Sequence, residues 1–267
     1  MNAEITADDR EDRRMVHFVG AGPGAPDLIT VRGRKMLEEA DVVIYAGSLV
    51  NPELLKVCRK DCRIFDSAGM TLEEVISEME KAEKENLVTV RLHTGDPCLY
   101  GAIREQMDAL DKRNIAYDDC PGVSSFCGAA AALNLEYTLP GISQSVILTR
   151  MEGRTEVPEK EKIRSFAAHG TTMVVFLSAG MTGKLSAELE KGGYPADTPA
   201  AIVYRASWPD EKCVRCTVAD LEKAARENGI CRTALIIVGN ILDSPFGRSK
   251  LYDPSFTTGY RKGTEKT

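Results

Sequence analysis

Histidine is scarce in this chain: only His17, His93 and His169 occur among 267 residues, far apart in sequence. That scarcity excludes most ligand sets of a histidine-based metal centre. Cys213-Val214-Arg215-Cys216 is the one CxxC, and no second pair completes a zinc site. The run Lys212 to Val218 alternates like a strand, which sends cysteines three apart to opposite faces. No metal ligands are therefore assigned, and the eight cysteines need not be disulfides in a chain this rich in apolar strands. Long apolar runs are missing too. The longest, Met173 to Leu177 and Ala234 to Val238, have strand length, far below the roughly 20 residues that span a bilayer, so no membrane association is expected. The N-terminus, with Asp8, Asp9, Glu11 and Asp12, lacks the basic and apolar blocks of a signal peptide, and a cytoplasmic location is expected. Basic excess is absent as well. A net charge of −6 argues against a nucleic-acid partner, although a local arginine cluster can still serve an acidic small molecule.

What is present is an ordinary globular composition, 43% hydrophobic and 28% charged, in a length suited to two domains. Residues 1–14 are polar and aperiodic and are expected to be disordered. Thereafter short apolar runs alternate with amphipathic stretches, which predicts α/β architecture. Strands are expected at 16–21, 42–46, 63–65, 88–92, 116–118, 145–149, 173–178, 200–204, 212–218 and 234–238. Helices are expected at 30–40, 52–57, 72–86, 101–114, 125–133, 160–168, 182–192 and 218–228. In the 72–86 helix, Leu72, Val75, Ile76 and Met79 form the apolar stripe, and Thr71 with Glu74 forms a capping box. Pro121-Gly122 marks a joint, giving an N-terminal α/β domain over 15–120, a C-terminal α/β domain over 121–255 and a loose tail over 256–267. The first domain is expected to hold a mainly parallel sheet. A hairpin around Trp208-Pro209-Asp210 predicts a mixed sheet in the second, so the two domains are not equivalent.

The stretch Gly20-Ala21-Gly22-Pro23-Gly24-Ala25 satisfies the weak dinucleotide pattern G-x-G-x-x-[G/A]. A pyrophosphate site needs free backbone amides and a helix that begins at once. Pro23 and Pro26 each remove an amide, and the helix cannot easily start before Asp27. The second strand ends in Ala46-Gly47-Ser48, without the acid that holds a ribose. An adenosyl group, cationic or uncharged, suits this loop better, and a simple turn remains the alternative. A second glycine site, His93-Thr94-Gly95-Asp96-Pro97, follows a central strand. The loops 20–26, 94–101 and 121–126 should converge on one sheet edge.

Taken together, Val19 to Thr30, Gly95-Asp96-Pro97 and Pro121-Gly122-Val123-Ser124-Ser125 resemble the tetrapyrrole (corrin/porphyrin) methylase family over about residues 15–255. Tyr45 to Val50, Leu99 to Ile103, Ser143 to Arg150, Val203 to Glu211 and Arg232 to Leu235 are similar to its precorrin-4 and cobalt-precorrin-4 branch, which methylates ring carbon 11 in cobalamin synthesis. The resemblance implies S-adenosylmethionine as cofactor, S-adenosylhomocysteine as product, an active site in the cleft between the domains, and a homodimer. It places Pro23, Thr94, Gly95, Asp96, Leu99, Ser124, Ser125, Leu177, Ala206, Thr233, Ala234 and Leu235 around the cofactor. Many relatives have Met at Leu177, and Thr94 also departs from the common pattern.

Asp96 is the candidate for an orienting, electrostatic role rather than a general base. Methyl transfer from a sulfonium needs alignment more than acid–base groups, which fits the absence of a triad. Arg91, Arg104, Arg150 and Arg205 are candidates for the carboxylates of the implied macrocycle. His93 could touch substrate or merely end its strand. Another ring position, and a dinucleotide-dependent oxidoreductase, stay open as alternatives.

Overall fold

The computed structural model describes residues 15–264 other than 244, 246 and 248. The expectations for residues 1–14 and for the last three positions lie outside the described residues. The chain divides into two compact units, one running to Gly128 together with Ala206–Pro209, the other comprising Ala129–Arg205 and the chain from Asp210 onward.

The first unit contains β1 (Val16–Gly20), α1 (Val31–Glu39), β2 (Val42–Tyr45), β3 (Arg63–Asp66), α2 (Leu72–Lys84), β4 (Thr89–His93), α3 (Ile103–Asp111) and β5 (Tyr117–Cys120). Its sheet has the order β3-β2-β4-β1-β5, and every pairing is parallel. From β1 the chain crosses over β4 to reach β2, whereas from β4 it crosses over β1 to reach β5. The two connections leave in opposite directions, so the carboxyl ends of β1 and β4 flank a crevice of the kind in which open sheets bind ligands. Leu37 of α1 packs on Val19, Val43, Val90 and Leu92 on one face. Val75, Ile76 and Met79 of α2 and Leu110 of α3 pack on Phe18 and Ile44 on the other. The expected capping box holds α2, with Thr71 Oγ1 accepting from Glu74 N–H and Glu74 Oε2 accepting from Thr71 N–H.

After β5 the chain forms α4 (Ser125–Leu133). The second unit contains β6 (Val146–Arg150), α5 (Ile163–Ala167), β7 (Thr172–Phe176), α6 (Thr182–Lys191), β8 (Pro199–Tyr204), β9 (Lys212–Thr217), α7 (Leu221–Glu227) and β10 (Ala234–Val238). The sheet order is β6-β7-β10-β8-β9. It is mixed, because β6 and β7 are parallel while β10 runs antiparallel to β7 and β8, and β8 to β9. Met173, Val175, Leu185, Leu189, Ile202, Leu221 and Ile236 form its core. On β9, Cys213 is exposed while Cys216 packs toward the core, so the CxxC cysteines do point to opposite faces.

All ten expected strands are present to within three residues at each end. The helical expectations differ at their ends for local reasons. Residues 52–57 wind as a 3-10 helix behind Asn51, whose side chain accepts from Glu53 N–H. The helix expected from Gly101 starts only at Ile103, because Tyr100 and Ala102 take positive φ. In the chain from 256 to 264, hydrogen bonds reach back to residues just before it. Arg261 donates to the carbonyls of Leu251 and Asp253, each at 2.8 Å. No helix among the described residues is long and apolar enough to cross a membrane.

Candidate functional site

Three backbone segments meet above the β1–β4 crevice, and glycine is what lets them meet. A Cβ on Gly20 would lie 2.5 Å from Gly122 Cα and 2.6 Å from the Gly95 oxygen. Gly22, at φ +80°, and Gly95, at φ +62°, exchange backbone hydrogen bonds of 3.2 and 2.8 Å. The loops after β1, β4 and β5 therefore do converge on one sheet edge, as their glycines suggest.

Asp96 fastens the junction. One carboxylate oxygen accepts from Cys98 N–H at 2.8 Å and the other from Gly122 N–H at 2.9 Å. Burial would raise its pKa, but the hydrogen bonds from Cys98 and Gly122 outweigh it and hold the carboxyl below its usual value. Asp96 is consequently a fixed anion at neutral pH, suited to orienting a cation and unsuited to accepting a proton. Ser124 and Ser125 lie against Gly95, where a Cβ would stand 3.3 Å from Ser125 N.

The loop around Pro23 is built partly by residues far along the chain. Ala25 N–H donates to Ser207 Oγ at 2.9 Å, Trp208 Nε1–H donates to the Pro23 carbonyl at 3.2 Å, and Asn51 Nδ2 donates to the Gly24 carbonyl at 2.9 Å. A Cβ on Gly24 would overlap the Trp208 ring. Ala206 sits beside Gly128, close to Pro23. The resemblance implies a cofactor contact for Ala206 in the second domain, whereas Ala206 falls in the first unit. Ser207 and Trp208 belong to a matched segment, and the sequence assigns no site role to them or to Asn51. The helix after this loop begins at Val31, capped by Thr30 Oγ1, which accepts from Gly33 N–H at 3.1 Å. Only a single 3-10 turn, Pro26–Leu28, follows the glycines at once, and its leading proline has no amide to offer a pyrophosphate.

Thr94 and Leu99 line a pocket of about 270 Å³ together with Arg91, His93 and Tyr100. Arg91 and His93 are both buried on β4. Burial lowers the Arg91 pKa to about 10. Burial, reinforced by the Arg91 charge, lowers that of His93 to about 3.

In the second unit, Leu177, Arg205, Thr233, Ala234 and Leu235 gather at one edge of the mixed sheet. Leu177 directly follows β7, Arg205 N–H donates to the Thr233 carbonyl at 3.0 Å, and Ala234 and Leu235 open β10 against Tyr204 and Val203. Leu177 is 64% exposed and left-handed at φ +53°, a costly conformation for a side chain that gains little burial.

The other arginines have local partners. Arg104 pairs with Asp108 on the exposed face of α3 at 2.5 Å. Arg150 donates to the carbonyls of Met151, Thr155 and Glu156. Arg205 pairs with Asp210 at 2.6 Å. Of the four candidates, the structure places Arg91 alone in the pocket with Thr94 and Leu99.

Positive φ marks the candidate residues in a way the sequence does not display. Asn86, Asn114 and Asn134 take it just after helices, an ordinary ending for asparagine. Tyr100, Ala102, Arg205, Ser207 and Thr233 take it within segments that carry the family resemblance, and Leu177 takes it directly after β7.

The model of the Tetrapyrrole (Corrin/Porphyrin) Methylases matches residues 15–222. The chain is 52% identical over 257 residues to the cobalt-precorrin-4 C(11)-methyltransferase of Methanocaldococcus jannaschii, spanning 96% of this chain and 99% of that protein. It is 47% identical to the precorrin-4 C(11)-methyltransferase of Sinorhizobium sp, over 92% of this chain and 98% of the relative. Among solved structures, cobalt precorrin-4 methyltransferase, CbiF, a cobalamin biosynthetic enzyme, superposes with a TM-score of 0.84 at 48% identity, covering 86% of this chain and 96% of that one. The uroporphyrin-III C-methyl transferase from Thermus thermophilus, complexed with S-adenyl homocysteine, gives a TM-score of 0.72 at 26% identity, covering 86% and 93%.

Proposed function

The chain belongs to the tetrapyrrole (corrin/porphyrin) methylase family, and on that premise we propose that it methylates carbon 11 of precorrin-4 or cobalt-precorrin-4 with S-adenosylmethionine. The observation that carries this reading is the 52% identity to a cobalt-precorrin-4 C(11)-methyltransferase across 96% of the chain. A homodimer belongs to the same reading, as the resemblance implies.

The residues present fit an adenosyl sulfonium better than a dinucleotide. Pro23 and Pro26 leave gaps in the row of amides, and Asp96 is held ionised beside the crevice. We assign Pro23, Thr94, Gly95, Asp96, Leu99, Ser124, Ser125 and Ala206 to cofactor binding in the first unit. The cofactor supplies an activated methyl group, and the chain's task is distance, alignment and exclusion of water. Asp96 contributes a fixed negative charge, and the crossed glycines hold the crevice walls without any side chain intruding. Cobalt, where present, arrives in the substrate ring and needs no protein ligand.

Calorimetry separates this reading from the oxidoreductase alternative. S-adenosylhomocysteine should bind and NAD should not; NAD binding without S-adenosylhomocysteine binding would overturn the assignment. Mass spectrometry of the product from cobalt-precorrin-4 should show a single added methyl.

In the second unit, Leu177 is our candidate for a ligand-facing side chain, on the strength of its exposure and strain. Leu177→Gly removes the left-handed penalty of roughly 1–2 kcal/mol and adds unfolded-state entropy of similar size. Its unfolding free energy should stay within about 1 kcal/mol of the wild type, while kcat/KM falls roughly tenfold, as a lost apolar contact predicts. A stability loss above about 3 kcal/mol would instead make Leu177 a packing residue.

A further inference from the structure

Strand β4 alternates Val90 and Leu92 toward one face with Thr89, Arg91 and His93 toward the other. That second face is otherwise apolar, covered by Val75, Ile76 and Met79 of α2 and Leu110 of α3. A strand with only a packing task would place valine or leucine there. This one buries a guanidinium at 7% exposure and an imidazole at 5%.

Neither group is fully satisfied by the protein. Arg91 Nε donates to Gln106 Oε1 at 3.0 Å, and a terminal nitrogen donates to the Ile44 carbonyl at 3.1 Å. Both acceptors are neutral. No carboxylate pairs with Arg91 among the described residues, and burial alone depresses its pKa. The His93 ring lies 6.1 Å from that of Phe18, and its buried Nε2 has no hydrogen-bond partner. Buried charges without counter-charges are expensive, and so are orphaned polar atoms. Retaining two such groups side by side calls for a ligand that completes them.

The space for one is present. Arg91 and His93 line the 270 Å³ pocket, with Ser67, Thr71 and Gln106 adding polar groups. Glu105 also borders the pocket, but it is exposed and makes no ion pair with Arg91.

We propose that this pocket is a carboxylate subsite, in which Arg91 supplies the positive charge and His93 a neutral hydrogen bond to one acidic side chain of the macrocycle. The inference rests on the methyltransferase reading above. The carboxylate of the cofactor has the same chemistry, so the test has to distinguish the two sources.

Full-length Arg91→Gln, Arg91→Lys and His93→Gln enzymes should be compared with the wild type. S-adenosylhomocysteine affinity is measured by calorimetry, and steady-state methylation uses cobalt-precorrin-4. Arg91→Gln should raise KM by about 30-fold or more, the loss expected of a charge-assisted contact. Arg91→Lys should raise it roughly tenfold, because the charge stays but the planar fork is lost. His93→Gln should raise it by about three- to tenfold. S-adenosylhomocysteine affinity should stay within about twofold throughout, a change too small to reflect a lost ionic contact. Weakened S-adenosylhomocysteine binding with unchanged KM would overturn the macrocycle assignment in favour of the cofactor. Unchanged values of both in folded variants would remove the subsite while leaving the methyltransferase reading intact. Failure of the wild type to methylate cobalt-precorrin-4 would instead overturn the reading beneath it. Should Arg91→Gln fail to fold, Arg91→Lys and His93→Gln carry the decision.

Discussion

Gly122→Ala is expected to lower S-adenosylhomocysteine affinity by at least about 100-fold, on the scale at which each tenfold is roughly 1.4 kcal/mol. The added methyl group would overlap the carbonyl oxygen of Gly95 and stand 2.7 Å from Gly20 Cα. Both obstacles are backbone, held in register by β1 and β4, so no side chain can swing aside. Relief requires the three loops to separate. Separation would break the Gly22–Gly95 pair and the 2.9 Å hydrogen bond from Gly122 N–H to Asp96. An overpacked site of this kind costs about 1–3 kcal/mol, which lowers the thermal midpoint by roughly 2–12 °C in a chain of this size. Gly69→Ala is the matched control, since its Cβ would meet nothing within 4 Å. Wild-type affinity in Gly122→Ala would show that the crossing is dispensable for the ligand.

Acid should destabilise the wild type more than His93→Gln. In the folded chain, burial and the Arg91 charge keep His93 neutral down to about pH 3. In the unfolded chain it takes a proton near its ordinary value of 6.5. Between those limits unfolding takes up a proton, so stability falls as pH falls. The contribution is fully present above pH 6.5 and is lost progressively toward pH 3. The slope approaches roughly 1.4 kcal/mol per pH unit for one such group, steep enough to cost several kcal/mol across the window. Denaturant unfolding from pH 7 to pH 4 measures it directly. A ligand-free His93→Gln enzyme should show a shallower decline, and parallel curves for the two proteins would place the acid sensitivity elsewhere. The arginine cannot help, because its charge is part of what excludes the proton.

Much of the architecture is legible in the order of residues. Val42 to Tyr45 and Met173 to Phe176 announce themselves as strands, and Thr71 with Glu74 announces a helix start, because these signals act within a few residues. The glycines at 20, 95 and 122 were recognisable, and their convergence followed from strand ends sharing one sheet edge. Other features were hidden because their causes are long-range. Nothing around Trp208 says that its indole closes the Pro23 loop. Arg91 looked like one of several cations available to an acidic substrate, and only packing separates it from Arg104 and Arg150, which have partners of their own. His93 could be read either way until its orphaned nitrogen was located. The strain at Leu177 and Thr233 leaves no trace in composition, since leucine and threonine are ordinary residues in an extraordinary backbone conformation.

The link between Trp208 and Pro23, 185 residues apart in the chain, also bears on how the protein is made. Synthesis proceeds from the amino end, and early domains commonly fold while later ones are still being translated. Here β1 to β5 emerge complete, yet Ser207 and Trp208, which hold the Pro23 loop in place, lie between β8 and β9. A nascent chain released at Gly128 would carry the sheet without its last closing piece. The Pro23 loop thus gains these two hydrogen bonds only after the chain through Trp208 has been made, and a product ending at Gly128 lacks both.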